Sequence, residues 1–181
     1  MNLVESIKLL DNSEKYLQNV YESNYDSMIS VCNRYAKNAD QAKEILKEGF
    51  IDIFANINKL EMDADQMKMM MIDAAVKYLK RNKQEYMIAG TVKALDTYGI
   101  KEEEIIDDEI IPYLKTEYVI EALQNMSSSY RLTVNMAFID GLPFNKIAEK
   151  LEIGEGTAKM NYEKAMHALR KTVKQLSLND A

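Results

Sequence analysis

Apolar residues recur at intervals of three and four along most of the chain, which is the spacing of one face of an α-helix. In the N-terminal part this pattern predicts helices over residues 13–36 and 39–57, and a third from 65 to beyond 79. Ser13 and Asp63 stand where the N-caps of the first and third helices are expected. Three amphipathic helices of this length can bury their apolar faces in one shared core.

The same spacing continues after residue 113 and predicts four more helices, at about 115–125, 128–139, 143–151 and 155–176. Their connections are short enough for helices packed side by side. No segment alternates as a strand does, and 181 residues contain only two prolines and six glycines. We therefore predict an all-α fold of two small helical domains, over residues 1–88 and 113–181.

The segment 89–112 differs from both flanking parts because it is strongly acidic. It holds 2 Lys and Arg against 7 Asp and Glu, whereas residues 1–88 hold 12 against 14 and residues 113–181 hold 9 against 8. Gly90, Gly99 and Pro112 interrupt the helical pattern there. A run of this kind is usually a solvated face or a linker, so we interpret it as an acidic linker between the domains.

Composition excludes several classes of function. No apolar run reaches the roughly 18 residues of a membrane span, and the N-terminus lacks the features of a signal peptide, so we expect no membrane insertion and a cytoplasmic location. Cys32 is the only cysteine and His167 the only histidine, which excludes an intrachain disulfide and a zinc site of the usual kind. Phosphate-loop and serine-hydrolase motifs are absent, so we predict no enzyme activity, no cofactor, no metal and no small-molecule substrate.

The stretch "FNKIAEKLEIGEGTAKMNYEKAMHALRKTV" indicates a helix, a tight turn and a second helix that carries basic residues. Ala148 allows close crossing of the two helices, and Gly154 and Gly156 suit the turn. An exposed helix face of this kind can reach base edges and phosphates in a duplex groove. An ordinary helical hairpin with solvated lysines remains the alternative at this point. The candidate DNA contacts are Thr157, Lys159, Asn161, Lys164 and Arg170.

The C-terminal part resembles region four of the extracytoplasmic-function (ECF) sigma factors, within the sigma-70 family of RNA polymerase sigma factors. The resemblance covers about fifty residues and rests on Tyr130-Arg131, on "GLPF" at residues 141–144, on "IAE" at 147–149, and on Gly156-Thr157 followed by Lys159. In that family this domain places its recognition helix on the minus-thirty-five promoter element. The resemblance therefore implies promoter DNA as a partner of this chain.

The N-terminal part resembles region two of the same family. The stretch "AKEILKEGF" at residues 42–50 stands in the register of the family's "Ala-Glu-Asp" motif and its following Gln and Phe. There this helix binds core RNA polymerase, and the next helix contacts and opens the minus-ten element. By this resemblance the core-polymerase contacts are Glu44, Ile45, Lys47, Glu48 and Phe50. The minus-ten contacts are Lys77, Lys80, Arg81 and Lys83.

Several positions depart from the family pattern. The chain has no tryptophan, and Gln66 and Met67 stand where the promoter-melting helix usually begins with Trp-Leu. Asp73 replaces an Asn, and a carboxylate near a DNA strand weakens binding. Two hypotheses follow from the resemblance. The first is an ECF-type sigma factor that directs promoter-specific initiation, and the alternative is a sigma-like regulator that binds polymerase or an anti-sigma factor without opening promoters.

Overall fold

The computed structural model describes residues 3–57, 62–81 and 115–179, with side chains from residue 14 to residue 177. These ranges are helical and contain no strand, which confirms the predicted all-α fold. The acidic linker at residues 89–112 and Lys83 lie outside them. The helices are α1 Leu3–Tyr35, α2 Ala39–Ile57, α3 Ala64–Arg81, α4 Thr116–Asn125, α5 Ser128–Val134 with a π-helical continuation Asn135–Ile139, α6 Phe144–Leu151 and α7 Glu155–Asn179.

Two of the N-terminal helices begin at side-chain caps. Asp63 Oδ1 accepts a hydrogen bond from the backbone N–H of Gln66 at 2.8 Å, and Gln66 Oε1 accepts one from the N–H of Asp63 at 3.0 Å. This reciprocal pair is a capping box, and it confirms Asp63 as the cap of α3. Asn38 caps α2 by accepting the N–H of Gln41 at 2.9 Å.

The predicted start of the first helix was wrong. The helix α1 begins at Leu3 and not at Ser13, so Ser13 lies inside it. The reason is visible in the sequence, because Leu3, Ile7 and Leu10 continue the apolar spacing backwards beyond that serine. A polar residue inside a helix is tolerated when the periodic pattern continues on both sides of it.

One apolar core joins the N-terminal helices to the C-terminal part of the chain. Met71 of α3 packs so closely on α2 that a Cβ at Gly49 would lie 2.2 Å from its sulfur atom. The same core continues into α5, α6 and α7 through buried residues of all three helices. They are Leu132, Met136, Ile147, Ala148, Leu151 and Ala158. The proposed domains therefore bury apolar surface against each other, and α4, α5 and α7 share a second core around Leu123 and Leu169.

The guanidinium of Arg131 in α5 is fully buried and lies between the C-terminal ends of two helices. Its Nε donates to the carbonyl oxygen of Tyr35, the last residue of α1, at 2.7 Å. Its Nη1 donates to the carbonyl of Met126, just beyond α4, at 2.8 Å. Because the last carbonyls of a helix have no intrahelical partner, Arg131 satisfies groups that burial would otherwise leave unpaired.

The end of α1 both accepts and donates hydrogen bonds: its last carbonyls accept from side chains of the C-terminal part, and its last two side chains donate to a carboxylate there. We call this arrangement the α1 joint. Asn135 Nδ2 donates to the carbonyl of Arg34 at 2.9 Å, beside the Arg131 bond to the carbonyl of Tyr35. In return, the side chains of Arg34 and Tyr35 donate to the carboxylate of Asp140. The α1 joint therefore consists of Arg34 and Tyr35 on one side and Arg131, Asn135 and Asp140 on the other.

We expect Arg131→Lys to lower the free energy of unfolding by about 3 kcal/mol, because an ammonium cannot reproduce a fork that binds two helix ends and remains a buried charge. Urea denaturation followed by circular dichroism measures this change. Arg81→Lys is the matched control, since Arg81 is exposed and its pair with Glu48 contributes about 1 kcal/mol or less. Equal losses in the two variants would contradict the role assigned to Arg131.

Candidate functional site

The C-terminal pair of helices is joined by three residues, Glu152 to Gly154. Glu152 has φ 57° and ψ 44°, the left-handed conformation that ends many helices and that glycine adopts most readily. The backbone N–H of Ile153 closes the end of α6 by donating to the carbonyl of Ala148 at 3.0 Å. A non-glycine residue at this place costs about 1 kcal/mol, so the turn tolerates Glu152 under mild strain.

The candidate DNA contacts on α7 differ in their exposure. Thr157 and Lys159 are exposed in the first turns of the helix, whereas Asn161, Lys164 and Arg170 are half-buried. Lys159 Nζ lies 2.8 Å from Glu155 Oε1, one turn earlier on the same face. This exposed pair is weak enough to be exchanged for a phosphate.

The described candidate contacts on α3 each lie against a carboxylate. Lys77 Nζ is 3.9 Å from Asp52, Lys80 Nζ is 3.1 Å from Glu152, and Arg81 pairs with Glu48. Two of these carboxylates belong to α2 and one to the turn before α7. The basic end of α3 is therefore neutralised locally in this arrangement.

The candidate polymerase contacts, which the resemblance to region two assigns to α2, lie beside an apolar groove between α2 and α1. Glu44 and Lys47 are exposed on α2, but Ile45 is fully buried in the core and Glu48 is half-buried beside Arg81. Phe50 is only 3% exposed and forms part of the groove wall. The groove has a volume of about 460 Å³. It is lined by Tyr21, Tyr25, Lys43, Leu46, Lys47, Phe50, Ile51 and Phe54.

Sequence reasoning missed the most exposed apolar residue of this groove, Ile51, whose surface is 58% accessible. A signal was present, because Ile51 lies off the apolar stripe that includes Leu46 and Ile53 on α2. Together with the exposed Tyr21 and Tyr25 of the same groove, Ile51 forms an apolar surface patch, which is the kind of feature that marks an interaction site.

A second feature that sequence reasoning missed is the buried carboxylate of Asp140. Its side chain is 1% exposed, and Oδ1 lies 2.9 Å from Arg34 Nη2 and 2.8 Å from Lys68 Nζ. The Tyr35 hydroxyl donates to Oδ2 at 2.6 Å. Burial, and then the charge of Asp140, raise the pKa of Tyr35 well above its usual value. The tyrosine is therefore a neutral donor under physiological conditions.

Comparison with known proteins finds relatives that match most of the chain. The chain is 22% identical over 160 residues to the ECF RNA polymerase sigma factor SigW of Bacillus subtilis, covering 83% of this chain and 85% of that protein. It is 24% identical over 158 residues to the ECF RNA polymerase sigma factor SigL of Mycobacterium tuberculosis, covering 85% and 89%. The chain is therefore similar to ECF RNA polymerase sigma factors over more than four fifths of its length. No family model matches it.

The fold agrees with a solved member of the sigma factors. The sigma factor RpoE from Bartonella quintana, crystallised with the anti-sigma factor NepR, superposes with a TM-score of 0.55 at 14% identity. The superposition covers 88% of this chain and 98% of RpoE. At this level of identity the match concerns the fold.

Two departures from the ECF pattern have structural roles in this chain. Gln66, which stands in the place of the usual Trp, completes the capping box of α3. Asp73, which stands in the place of an Asn, pairs with Lys150 of α6. Both residues therefore stabilise the fold through contacts that the aligned sequence does not reveal.

The remaining described residues add no chemical centre. No group of three or more potential metal ligands occurs among them. No helix in the described ranges is long and apolar enough to cross a membrane. Cys32 is fully buried in the core, and burial raises the pKa of its thiol to about 12.

Cys32 predicts a loss of stability in alkali. Its pKa rises from 9.0 to about 12 on folding, so above pH 9 the unfolded chain loses the thiol proton and the folded chain keeps it. The stabilisation is complete below pH 9 and is lost as the pH approaches 12, by about 1.4 kcal/mol per pH unit. Urea titrations at pH 8, 9 and 10 measure the slope. Cys32→Ala, which keeps Tyr35, is expected to show a shallower slope; parallel slopes would refute the assignment.

Proposed function

We propose that this ECF sigma factor binds core RNA polymerase and directs promoter-specific transcription initiation. The observation that carries the proposal is the similarity to the sigma factors SigW and SigL over more than four fifths of the chain. The protein supplies contacts and no bond-breaking chemistry, and it acts in the cytoplasm. Its specificity comes from the bases that its two DNA-facing helices contact.

The groove between α1 and α2 is the proposed polymerase contact. Apolar side chains exposed together mark protein interfaces, and here Ile51 projects beside Tyr21 and Tyr25. Lys43 and Lys47 line the same groove. A fitting partner is a polymerase helix with an apolar ridge flanked by carboxylates. Ile45 supports this surface from the core, and Glu44 and Lys47 contact the partner directly.

The proposed DNA contacts divide between two helices. The first turns of α7 present Thr157 and Lys159 to the minus-thirty-five element, with Asn161, Lys164 and Arg170 further along the same helix. The basic end of α3, with Lys77, Lys80 and Arg81, contacts the minus-ten element, and Lys83, which follows in the sequence, is proposed as a further contact. Since RpoE was crystallised with the anti-sigma factor NepR, we propose an anti-sigma factor as a further partner of this chain.

We expect Ile51→Glu to weaken binding to core polymerase about 30-fold, because burial of an isoleucine is worth about 2 kcal/mol and the new carboxylate opposes an acidic partner. Fluorescence anisotropy with purified core enzyme measures the affinity. Met160→Glu is the matched control, since Met160 is a large exposed apolar residue on α7, outside the groove. An unchanged affinity for Ile51→Glu would exclude the groove as the contact.

We expect Lys159→Glu to reduce open-complex formation at least about tenfold while core binding stays intact, because the exposed ammonium is replaced by a charge that repels phosphate. Permanganate footprinting on candidate promoters measures opening. Lys174→Glu makes the same change at an exposed position 15 residues further along α7 and is expected to behave as wild type. Equal effects of the two variants would indicate a general charge effect.

The same assay separates the sigma factor from the sigma-like regulator. Wild-type protein that binds core enzyme and opens promoters establishes the sigma factor. Binding to core enzyme without opening on any promoter favours the regulator. Absence of core binding would show that the chain keeps the fold of the family without its activity.

A further inference from the structure

We propose that Arg34, Tyr35 and Lys68 form a phosphate-binding site for DNA, and that Asp140 occupies this site in the closed chain. We call the chain closed when its C-terminal helices pack against α1 and α3, as they do in this structure. The inference rests on the proposed function, because it assigns a new contact to a protein that binds DNA. It goes beyond that function by naming residues that are not among the candidate DNA contacts on α3 and α7.

The three donors converge on one anion. Arg34 Nη2, Lys68 Nζ and the Tyr35 hydroxyl all lie within 2.9 Å of the Asp140 carboxylate. They come from α1 and α3, whereas Asp140 follows α5 and is the acid in this cluster that belongs to the C-terminal part. Two cations and a neutral hydroxyl are the donors that bind phosphate in proteins. The N-terminal helices thus supply all three donors of this cluster, and the C-terminal part supplies the carboxylate that accepts from them.

The carboxylate leaves part of this site unused. Arg34 Nε is buried and has no hydrogen-bond partner among the residues that the structure describes. A carboxylate offers two oxygen atoms, and both already accept bonds here. A phosphodiester offers further oxygen atoms, and a guanidinium binds phosphate through two parallel N–H groups. The unpaired Nε is therefore the donor that phosphate would engage in addition.

The position of Lys68 identifies DNA as the source of the phosphate. Lys68 lies on α3, the helix proposed to contact the minus-ten strand. The C-terminal part covers α3 by three ion pairs, Lys68–Asp140, Asp73–Lys150 and Lys80–Glu152. Their α3 residues span 12 positions, or about 18 Å of helix. The carboxylate thus lies along the path that a strand bound to α3 would follow.

The closed chain cannot occupy both promoter elements at once. In this structure α3 and α6 are joined directly by the Asp73–Lys150 pair. The minus-ten and minus-thirty-five elements are separated by about 25 base pairs, on the order of 85 Å of duplex at 3.4 Å per step. The helix pair α6–α7 must therefore leave α3 before both elements are contacted. Departure of the C-terminal part removes Asp140 and opens the site when DNA is bound.

The test compares the full-length wild type with Asp140→Asn and with Asp140→Asn combined with Lys68→Gln. The probe is a fluorescein-labelled single-stranded 20-mer without promoter sequence, titrated over a range of salt concentrations. A decaglutamate peptide is the second probe, and small-angle scattering reports whether the chain opens. Asp26→Asn is the matched control, because it removes the same charge from an exposed position on α1.

We expect Asp140→Asn to expand the chain and to bind the oligonucleotide about tenfold more tightly. The slope of log affinity against log salt becomes steeper by about one, as one added phosphate contact requires. Adding Lys68→Gln removes both gains, and Asp26→Asn shows neither. If Asp140→Asn fails to fold by circular dichroism, Lys68→Gln alone is compared with the wild type, and loss of the phosphate contact is expected to make the salt slope shallower by about one.

Three results would overturn the inference. An expanded chain without a steeper slope would mean that the exposed donors do not bind phosphate. A gain for decaglutamate without a gain for the oligonucleotide would assign the site to an acidic protein. A chain that stays compact in Asp140→Asn would mean that Asp140 does not hold the closed form. Because neither probe involves polymerase, these results are independent of whether the chain binds core enzyme.

Discussion

The closed structure depends on how the last turn of α1 is satisfied. The final carbonyls of any helix lack intrahelical partners, and burying them without partners is costly. Here the carbonyls of Arg34 and Tyr35 accept bonds from Asn135 and Arg131, which lie about 100 residues later in the chain. Since Arg131 also binds the carbonyls at the end of α4, one buried guanidinium ties the ends of two helices together. The shared core can form only where these groups meet.

This joint has consequences for the two surfaces that we propose as DNA contacts. The ion pairs between α3 and the C-terminal part are partly exposed, and such pairs contribute little individually. The buried groups around Arg131 and Asp140 are different, because each would be left as an unpaired charge if its partner departed. The closed form is therefore held mainly at the α1 joint, and polymerase and DNA together must supply the free energy that separates the helices.

Several residues that differ from the ECF sequence pattern make contacts within the closed form. Gln66 caps α3 and Asp73 pairs with Lys150, so neither position is simply a degraded version of a DNA contact. Glu152 holds the left-handed turn before α7 and also pairs with Lys80 of α3. These substitutions exchange possible DNA contacts for contacts within the chain.

The sequence by itself determined the helices, the cap at Asp63 and the two family blocks, because periodicity, capping and motif order are local properties of the chain. It did not reveal that α1 extends to Leu3, since Asn12 and Ser13 look like a boundary until the pattern on both sides is weighed. Tertiary structure alone decided that the two predicted domains share one core, and that a π-helix ending at Ile139 places Asp140 against Arg34 and Lys68. These outcomes depend on contacts between residues far apart in sequence, and the physical reason is that burial and charge pairing are set by which helix surfaces meet.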